Sequence, residues 1–295
     1  MLTGMQIRAL TWNVYHGRDS PPDPALRTKR SRLLRITEQN ATHLQVNRNL
    51  FSSFADVIGS VWWDVALLQE CPPRWARRLA ERCDAHTHRV LTSRNSFAPL
   101  RRLGAILNPD LIGSNEGGSN LTLLRRAWGE IVDRRELVLQ AGPEPERRTM
   151  AFSRLRPAQA PEFEVCVANL HASAGHALRA FSERDVLLAA ERAVEWAGGA
   201  PLILGGDLNL RPAETSIYPQ LVDRFELRGT TAPDSLDHLL WRGLRPVGPP
   251  RRWAPEEREI STGGLAIRLS DHAPVEAVFE IVPPNDVETG GSDGD

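Results

Sequence analysis

Lysine is almost absent from this chain: Lys29 is the only one among 36 basic residues, and the rest are arginine. The arginines run along the whole sequence without forming one dense stretch, so they do not mark a polyanion-binding patch. Net charge is only -1, with 37 acids. Four of these, Asp286, Glu288, Asp293 and Asp295, lie beyond Asn285 in a segment with no base, which leaves the body near +3. Cysteine is scarce as well. Cys71, Cys83 and Cys166 are odd in number and have no C-x-x-C spacing, which excludes a disulfide or zinc framework and suits a reducing compartment. No run approaches the roughly 20 apolar residues of a membrane span. Met1–Arg8 has no charged start followed by an apolar stretch, so no secretory signal is expected and the expected location is cytoplasmic.

What is present is a globular composition. Hydrophobic residues make up 41% and glycine numbers 22 in 295 residues, which excludes disordered and collagen-like chains and allows a core of several layers. No repeat or internal linker is evident. One break falls at Pro283-Pro284, so a single domain is expected over 1–282, followed by a disordered acidic tail over 283–295. Short runs rich in Val, Ile and Leu predict strands at Ile7–Val14, Asp64–Gln69, Arg89–Thr92, Asn120–Leu124, Arg135–Leu139, Thr149–Leu155, Phe163–Asn169, Leu202–Gly205, Leu236–Trp241 and Pro274–Ile281. Helical spacing predicts Leu44–Ile58, Pro73–Cys83 and Ala177–Ala197. That is too strand-rich for a plain doubly wound sheet. Two sheets packed face to face with helices outside fit better.

Polar residues interrupt these strands at particular ends. Asn13 closes TWN, Glu70 closes LLQE, Asn169 and His171 close NLH, and Asp207 and Asn209 follow LILGG. Asp237 opens DHLLW, and Asp271-His272 precedes APV. In a mixed arrangement, the ends of some strands and the starts of others share one rim. Such a rim would offer carboxylate and amide oxygens with no cysteine ligand and no H-E-x-x-H pattern. Hard oxygen donors select Mg2+ or Mn2+ over zinc. Histidines beside them supply proton transfer and donors to developing negative charge. Metal-assisted phosphoester hydrolysis uses all these parts.

Together, in this order and spacing, TWNV, LLQE, NLH, GGDLN, LDHLL and SDHAPV resemble the endonuclease/exonuclease/phosphatase superfamily over nearly the whole chain. The resemblance implies an α/β fold, a four-layer sandwich of two mixed sheets with helices outside and a metal site at the rim. It assigns Asn13 and Glu70 to the metal, with Asp271 as a further ligand. Asp207 would bind or activate the attacking water, and Asn209 would orient that water or the phosphate. His272 would be the catalytic histidine, held by Asp237, and His171 a donor to the phosphoryl oxygen. Whether Asp207 or His272 takes the proton from water stays open.

Asn120 in GGSNLTLL resembles a segment that approaches substrate, and Arg148 is the best phosphate clamp among the arginine doublets. The other doublets read as solvated faces, His16 as surface, His238 as scaffold on the face opposite Asp237, and Trp62-Trp63 as core. Glu70 is followed by Cys71-Pro72-Pro73 where abasic-site enzymes carry Thr-Lys, and no Pro-x-Trp-x-Asp-Arg segment of the inositol-polyphosphate phosphatases is present. The expected function is a Mg2+- or Mn2+-dependent phosphodiesterase or nuclease. A sugar- or inositol-phosphate monoesterase and a non-catalytic binding module are the alternatives. The expected partner is a phosphoester substrate, nucleic acid included; no protein partner is evident.

Overall fold

The computed structural model describes residues 5–281 except 35, 47, 93–102, 104–117, 141–146 and 176–177. Ten principal strands carry the fold. They are β1 (Met5–Asn13), β2 (Val65–Gln69), β3 (Ala85–Leu91), β4 (Ser119–Arg125), β5 (Gly129–Gln140), β6 (Arg148–Pro157), β7 (Val165–His171), β8 (Leu202–Asp207), β9 (Asp237–Arg242) and β10 (Val275–Ile281). One sheet runs β10-β1-β2-β4-β3, with the short strands Arg245–Pro246 and Arg251–Arg252 on β10; the other runs β9-β8-β7-β6-β5. In each sheet a single pair is parallel, β1 with β2 and β7 with β8, and the other principal pairs are antiparallel.

Three cores separate four layers. Ile7, Ala9, Val65, Leu67, Val167, Ile203 and Phe279 fill the space between the sheets. Leu10, Trp12, Ala66 and Leu68 point the other way, onto helices α1 (Phe51–Ser60) and α2 (Trp75–Arg82). Cys166, Ala168, Leu202 and Leu204 meet α3 (Arg179–Ala197) and α4 (Ile217–Phe225). This is the period of two expected of strands buried on both faces. The architecture is a four-layer α/β sandwich.

The same parity places the polar residues. Asn13 follows Ile7 and Ala9 on the inner face of β1; Asp207 follows Ile203 and Gly205 on β8; His171 follows Val167 on β7. The inner face is therefore apolar along most of each strand and polar at one end. Below the rim the two sheets are tied by hydrogen bonds. Gln69 Nε2 donates to Asn169 Oδ1 at 2.8 Å and Asn120 Nδ2 to the Thr149 carbonyl at 2.7 Å, while within the first sheet Gln69 Nε2 also donates to Thr11 Oγ1 at 3.1 Å.

The structure corrects several expectations. The helix expected over Leu44–Ile58 begins only at Phe51, because Leu44–Gln45 pairs with Glu38–Gln39 and Asn49 Oδ1 accepts the Phe51 amide at 2.9 Å. Trp63 is core, but its neighbour Trp62 is 79% exposed, contrary to the reading of both as core. The hairpin Glu259–Thr262/Leu265–Arg268 was not foreseen. The expected tail over 283–295 lies outside the described residues.

Gly206 shows why the GGD sequence is needed. Its φ is +143°, and a Cβ there would lie 1.8 Å from the Leu170 carbonyl oxygen of the adjacent parallel strand. Only glycine lets β8 pass this close just before Asp207. Gly206→Ala should lower stability by about 3 kcal/mol, read as a lower urea midpoint; an unchanged midpoint would refute this packing.

Candidate active site

The C-terminal ends of the two parallel pairs face each other across the sandwich. Register sets Asn13 beside Gln69 in one sheet and Asp207 between His171 and Asp237 in the other. The Asn13 side-chain amide donates to Asp207 Oδ2 at 2.9 Å and so bridges the sheets. Asp207 Oδ1 accepts the Asn209 backbone amide at 3.0 Å, and the Asn209 side-chain amide donates to the Ala172 carbonyl at 3.1 Å. His272 Nδ1 lies 2.7 Å from Asp237 Oδ2, which leaves Nε2 pointing inward, 3.7 Å from Asp207 Oδ2. His171 Nε2 approaches the same oxygen at 3.6 Å and Glu70 Oε1 at 3.8 Å, while an Arg148 Nη1 lies 3.3 Å from its Nδ1. Because guanidinium only donates, Nδ1 must accept, so the Nε2 of His171 carries the proton.

The electrostatics separate these groups. Burial and the nearby Arg148 hold the His171 imidazole well below its usual pKa, so it is neutral. Burial disfavours charge on His272, but Asp237 and Asp207 overcome it and push its pKa up to about 11. Burial raises the Asp207 carboxyl above the ordinary carboxylate range, opposed by the charge of His272 and reinforced by Asp237 and Glu70. Burial would also raise Glu70, yet the hydrogen bond and charge of His16, with His171 and Asn13, hold it well below the usual range.

Backbone strain gathers here as well. Tyr15, His16, Glu70, Asn209 and Ser270 all have positive φ, and each sits where a strand of this rim ends or begins. The other described non-glycine residues with positive φ, Asp84 and Glu226, follow helix C-termini. Such conformations persist only where surrounding contacts fix them. At Ser270 those contacts are visible: its Oγ donates to the Asn13 carbonyl at 2.6 Å and accepts the His272 amide at 3.1 Å.

Glu70, Asn13 and the exposed Asp271 together present oxygen donors next to the acid-rich centre, and the charges of Glu70 and Asp271 interact. This donor set suits a hard divalent cation, which would relieve the crowding of Glu70, Asp207, Asp237 and Asp271. Asp207, Asp237 and His272 also offer ligand atoms within 4.8 Å of one another. In this second group His272 Nδ1 faces Asp237 Oδ2 at 2.7 Å, which leaves its Nε2 as the ring nitrogen turned to Asp207.

The expected residues are thus gathered at one rim, with one exception. Asn120 is fully buried between the sheets, its amide committed to the Thr149 carbonyl, so it supports the rim from below and does not line it. His16, read as surface, lies 3.0 Å from Glu70 Oε2. Its proximity to Asn13 in the chain was the only sequence signal. Arg252, read as solvated, lines a cavity of about 370 Å³ with Arg211, Arg258, Trp253, Asp271 and His272. His238 packs edge-on against Tyr218, away from the rim.

The sequence matches the endonuclease/exonuclease/phosphatase family over residues 10–272, and the chain belongs to that family. No curated protein matches it in sequence. Its fold is similar to that of a family member from Bacteroides thetaiotaomicron (15% identity over 94% of this chain and 95% of that one, TM-score 0.64). It is also similar to truncated TDP2 from Caenorhabditis elegans (16%, 93% and 97%, 0.58) and to the human Nocturnin catalytic domain with bound sulfate (15%, 94% and 95%, 0.60).

The His272–Asp237 contact has a direct test. In metal-free protein the ring resonances of His272 should titrate near 11, far above 6.5. Asp237→Asn removes a negative partner and should lower that value by about two units. Wild-type titration near 6.5 would show that Asp237 does not hold the ring charged.

Proposed function

We propose that this protein is a divalent-metal-dependent phosphodiesterase that hydrolyses a phosphoester bond at the Asp207 rim. The observation that carries the reading is the convergence on Asp207 Oδ2 of Asn13, the neutral His171 and the charged His272. Glu70, Asn13 and Asp271 are the proposed ligands of Mg2+ or Mn2+, which when bound supplies Lewis-acid polarisation of the phosphoryl group.

The chain's own groups divide the remaining work. Asp207 accepts a proton from the attacking water, because its raised pKa brings its basicity toward the working pH, whereas His272 is already protonated. Asn13 and the Asn209 backbone amide hold that carboxylate in place. His272 Nε2 and His171 Nε2 donate to the phosphoryl oxygens as negative charge develops. Asp237 keeps the His272 ring oriented and charged, and Arg148 fixes the tautomer of His171. Arg211 and Arg252, paired with Glu214 and Asp234, line the adjoining cavity beside His272 and are the arginines nearest a bound substrate there.

Turnover of bis-p-nitrophenyl phosphate should require Mg2+ or Mn2+ and stop in EDTA; full activity after metal stripping would overturn the reading. Asp207→Ala should lower kcat about a thousandfold and His171→Ala about a hundredfold; because both side chains are buried, a native circular-dichroism spectrum is required of each variant. The pH dependence has a definite sign. Ionised Asp207 and charged His272 are the active forms, so activity rises with pH on the acid limb and falls as His272 deprotonates. Asp237→Asn should therefore move the alkaline limb to lower pH.

With a body charge near +3 and no basic stripe in the sequence, few phosphates are neutralised. If DNA is a substrate, the slope of log KM against log salt should be roughly two or three. Exclusive turnover of p-nitrophenyl phosphate would instead favour the monoesterase alternative. A mannosyl-6-phosphatase from Bacteroides thetaiotaomicron shares the fold at 16% identity, a TM-score of 0.59 and coverage of 92% of this chain and 98% of that one.

A further inference from the structure

At the opposite end of the sandwich from Asp207 lies a cleft of about 800 Å³. Its walls come from the loop between α1 and β2, the turn between β4 and β5, and the first residues of β1. Arg8, in this wall, precedes Asn13 by five residues along β1, a separation of about 17 Å at the strand rise. The cleft is therefore separate from the proposed active site.

Three tryptophans line it: Trp62, Trp63 and Trp128. Trp63 is buried, with its indole N–H donated to the Ile58 carbonyl at 2.7 Å, and so acts as a fixed wall. Trp128 donates its indole N–H to the Gln6 carbonyl at 3.2 Å, which fixes that ring too. Trp62 differs, because 79% of its surface is open to solvent. An indole carries the largest apolar surface of any side chain, and burying it is a main source of core and interface energy. Here it stands in a concave setting between this cleft and a second one of about 590 Å³, which it also lines.

Two guanidinium groups accompany the rings. Arg8 stacks 4.5 Å from the centroid of Trp62, and Arg125 stacks 4.1 Å from that of Trp63. Arg125 is held by the carbonyls of Cys83 and Gly59. The Arg8 guanidinium makes no side-chain hydrogen bond or ion pair among the described residues, so its five N–H donors remain open. Most other arginines of the strands, such as Arg154, Arg156 and Arg251, are paired with a carboxylate. Among the described residues the only carboxylate in the wall is Asp64, which accepts the Arg8 backbone amide at 2.7 Å and lies in the field of both Arg8 and Arg125. Among these residues the cleft combines an open aromatic face with two positive charges against one negative.

An open indole face takes a flat ring by stacking, and open guanidinium donors take phosphate. We propose that this cleft is a second binding site for a nucleotide, with the base stacked on Trp62 and the phosphate held at Arg8 within the field of Arg125. The same chemistry is offered by a free nucleotide and by one nucleotide within a single strand.

The test is calorimetric titration of the full chain in EDTA, where binding is measured without turnover. AMP should bind saturably. Adenosine, which lacks the phosphate, and ribose 5-phosphate, which lacks the base, should each bind at least tenfold more weakly. Trp62→Ala and Arg8→Ala should each weaken AMP at least tenfold, whereas Trp62→Phe keeps a stacking face and should retain most of the affinity. Because Trp62 is exposed, Trp62→Ala should leave the thermal midpoint and the turnover of bis-p-nitrophenyl phosphate unchanged. Oligothymidylate of ten residues binding through Trp62 more tightly than AMP identifies a strand as the source; the reverse order identifies a free nucleotide. The proposal is overturned if Trp62→Ala binds AMP like the wild type, if ribose 5-phosphate matches AMP, or if His272→Ala abolishes AMP binding. It is also overturned if Trp62 instead mediates self-association without nucleotide binding. None of these outcomes depends on whether the Asp207 rim cleaves a phosphoester.

Discussion

The packing of two sheets face to face imposes one condition on everything else: a buried inner-facing polar group is costly unless it is hydrogen-bonded, and on β4 only Thr122 Oγ1 and Asn120 Oδ1 depart from it. Along β1, β2, β7 and β8 the inner face changes from aliphatic to polar in the direction of the chain. Thr11, Gln69, Asn169 and Asn120 satisfy one another or a backbone carbonyl across the interface. They form a floor on which Asn13, His171 and Asp207 stand. Losing one member would leave its partner buried and unpaired, at a cost of about 1–3 kcal/mol. The floor fixes the separation of the sheets where Asn13 must reach Asp207, so the site inherits its geometry from the core.

That geometry explains how four carboxylates share a small volume. Three have a distinct partner: His16 for Glu70, Asn13 and the Asn209 amide for Asp207, and the His272 ring for Asp237, while Asp271 opens to solvent. The burial that raises the Asp207 carboxyl also deprives His171 of its charge, and the paired acids give His272 the opposite tendency. Two histidines at similar distances from one oxygen therefore differ in protonation because their second ring nitrogens face an arginine in one case and an aspartate in the other. A group's role here is set by what stands behind it.

This also marks how far the sequence could be read. All ten strands were legible because their apolar runs are bounded by turn residues, and the rim was legible because polar residues break those runs at consistent ends. Period two placed His238 on the face opposite Asp237 without any coordinates. What stayed hidden depends on distance in space. His16 looks like any loop histidine until the positive φ of Glu70 brings its carboxylate to it. Asn120 has the composition of a substrate contact, and only the depth of β4 shows that its amide serves the neighbouring sheet. The exposed Trp62 beside the buried Trp63 could not be separated from its neighbour, since both adjoin the same strand and differ only in which way the loop turns.

The two sheets also share one plan. In each, a strand leads through a helix to a parallel neighbour: β1 through α1 to β2, and β7 through α3 to β8. A parallel pair sends both C-terminal ends to the same edge, and open α/β sheets bind ligands outside those ends. Packing two such units face to face brings four strand ends to one rim. The units then diverge in chemistry. The first ends in Asn13 and Glu70, oxygen donors with a strongly acidic carboxyl; the second ends in His171 and Asp207, groups whose protonation is poised by burial. The antiparallel strands β9 and β10 start at this rim, and they bring Asp237 and the preceding His272 to its open side. The half that carries Asn13 and Glu70 and the half that carries His171 and Asp207 thus meet across the sheet interface, and the hydrogen bond from Asn13 to Asp207 is the contact that couples them.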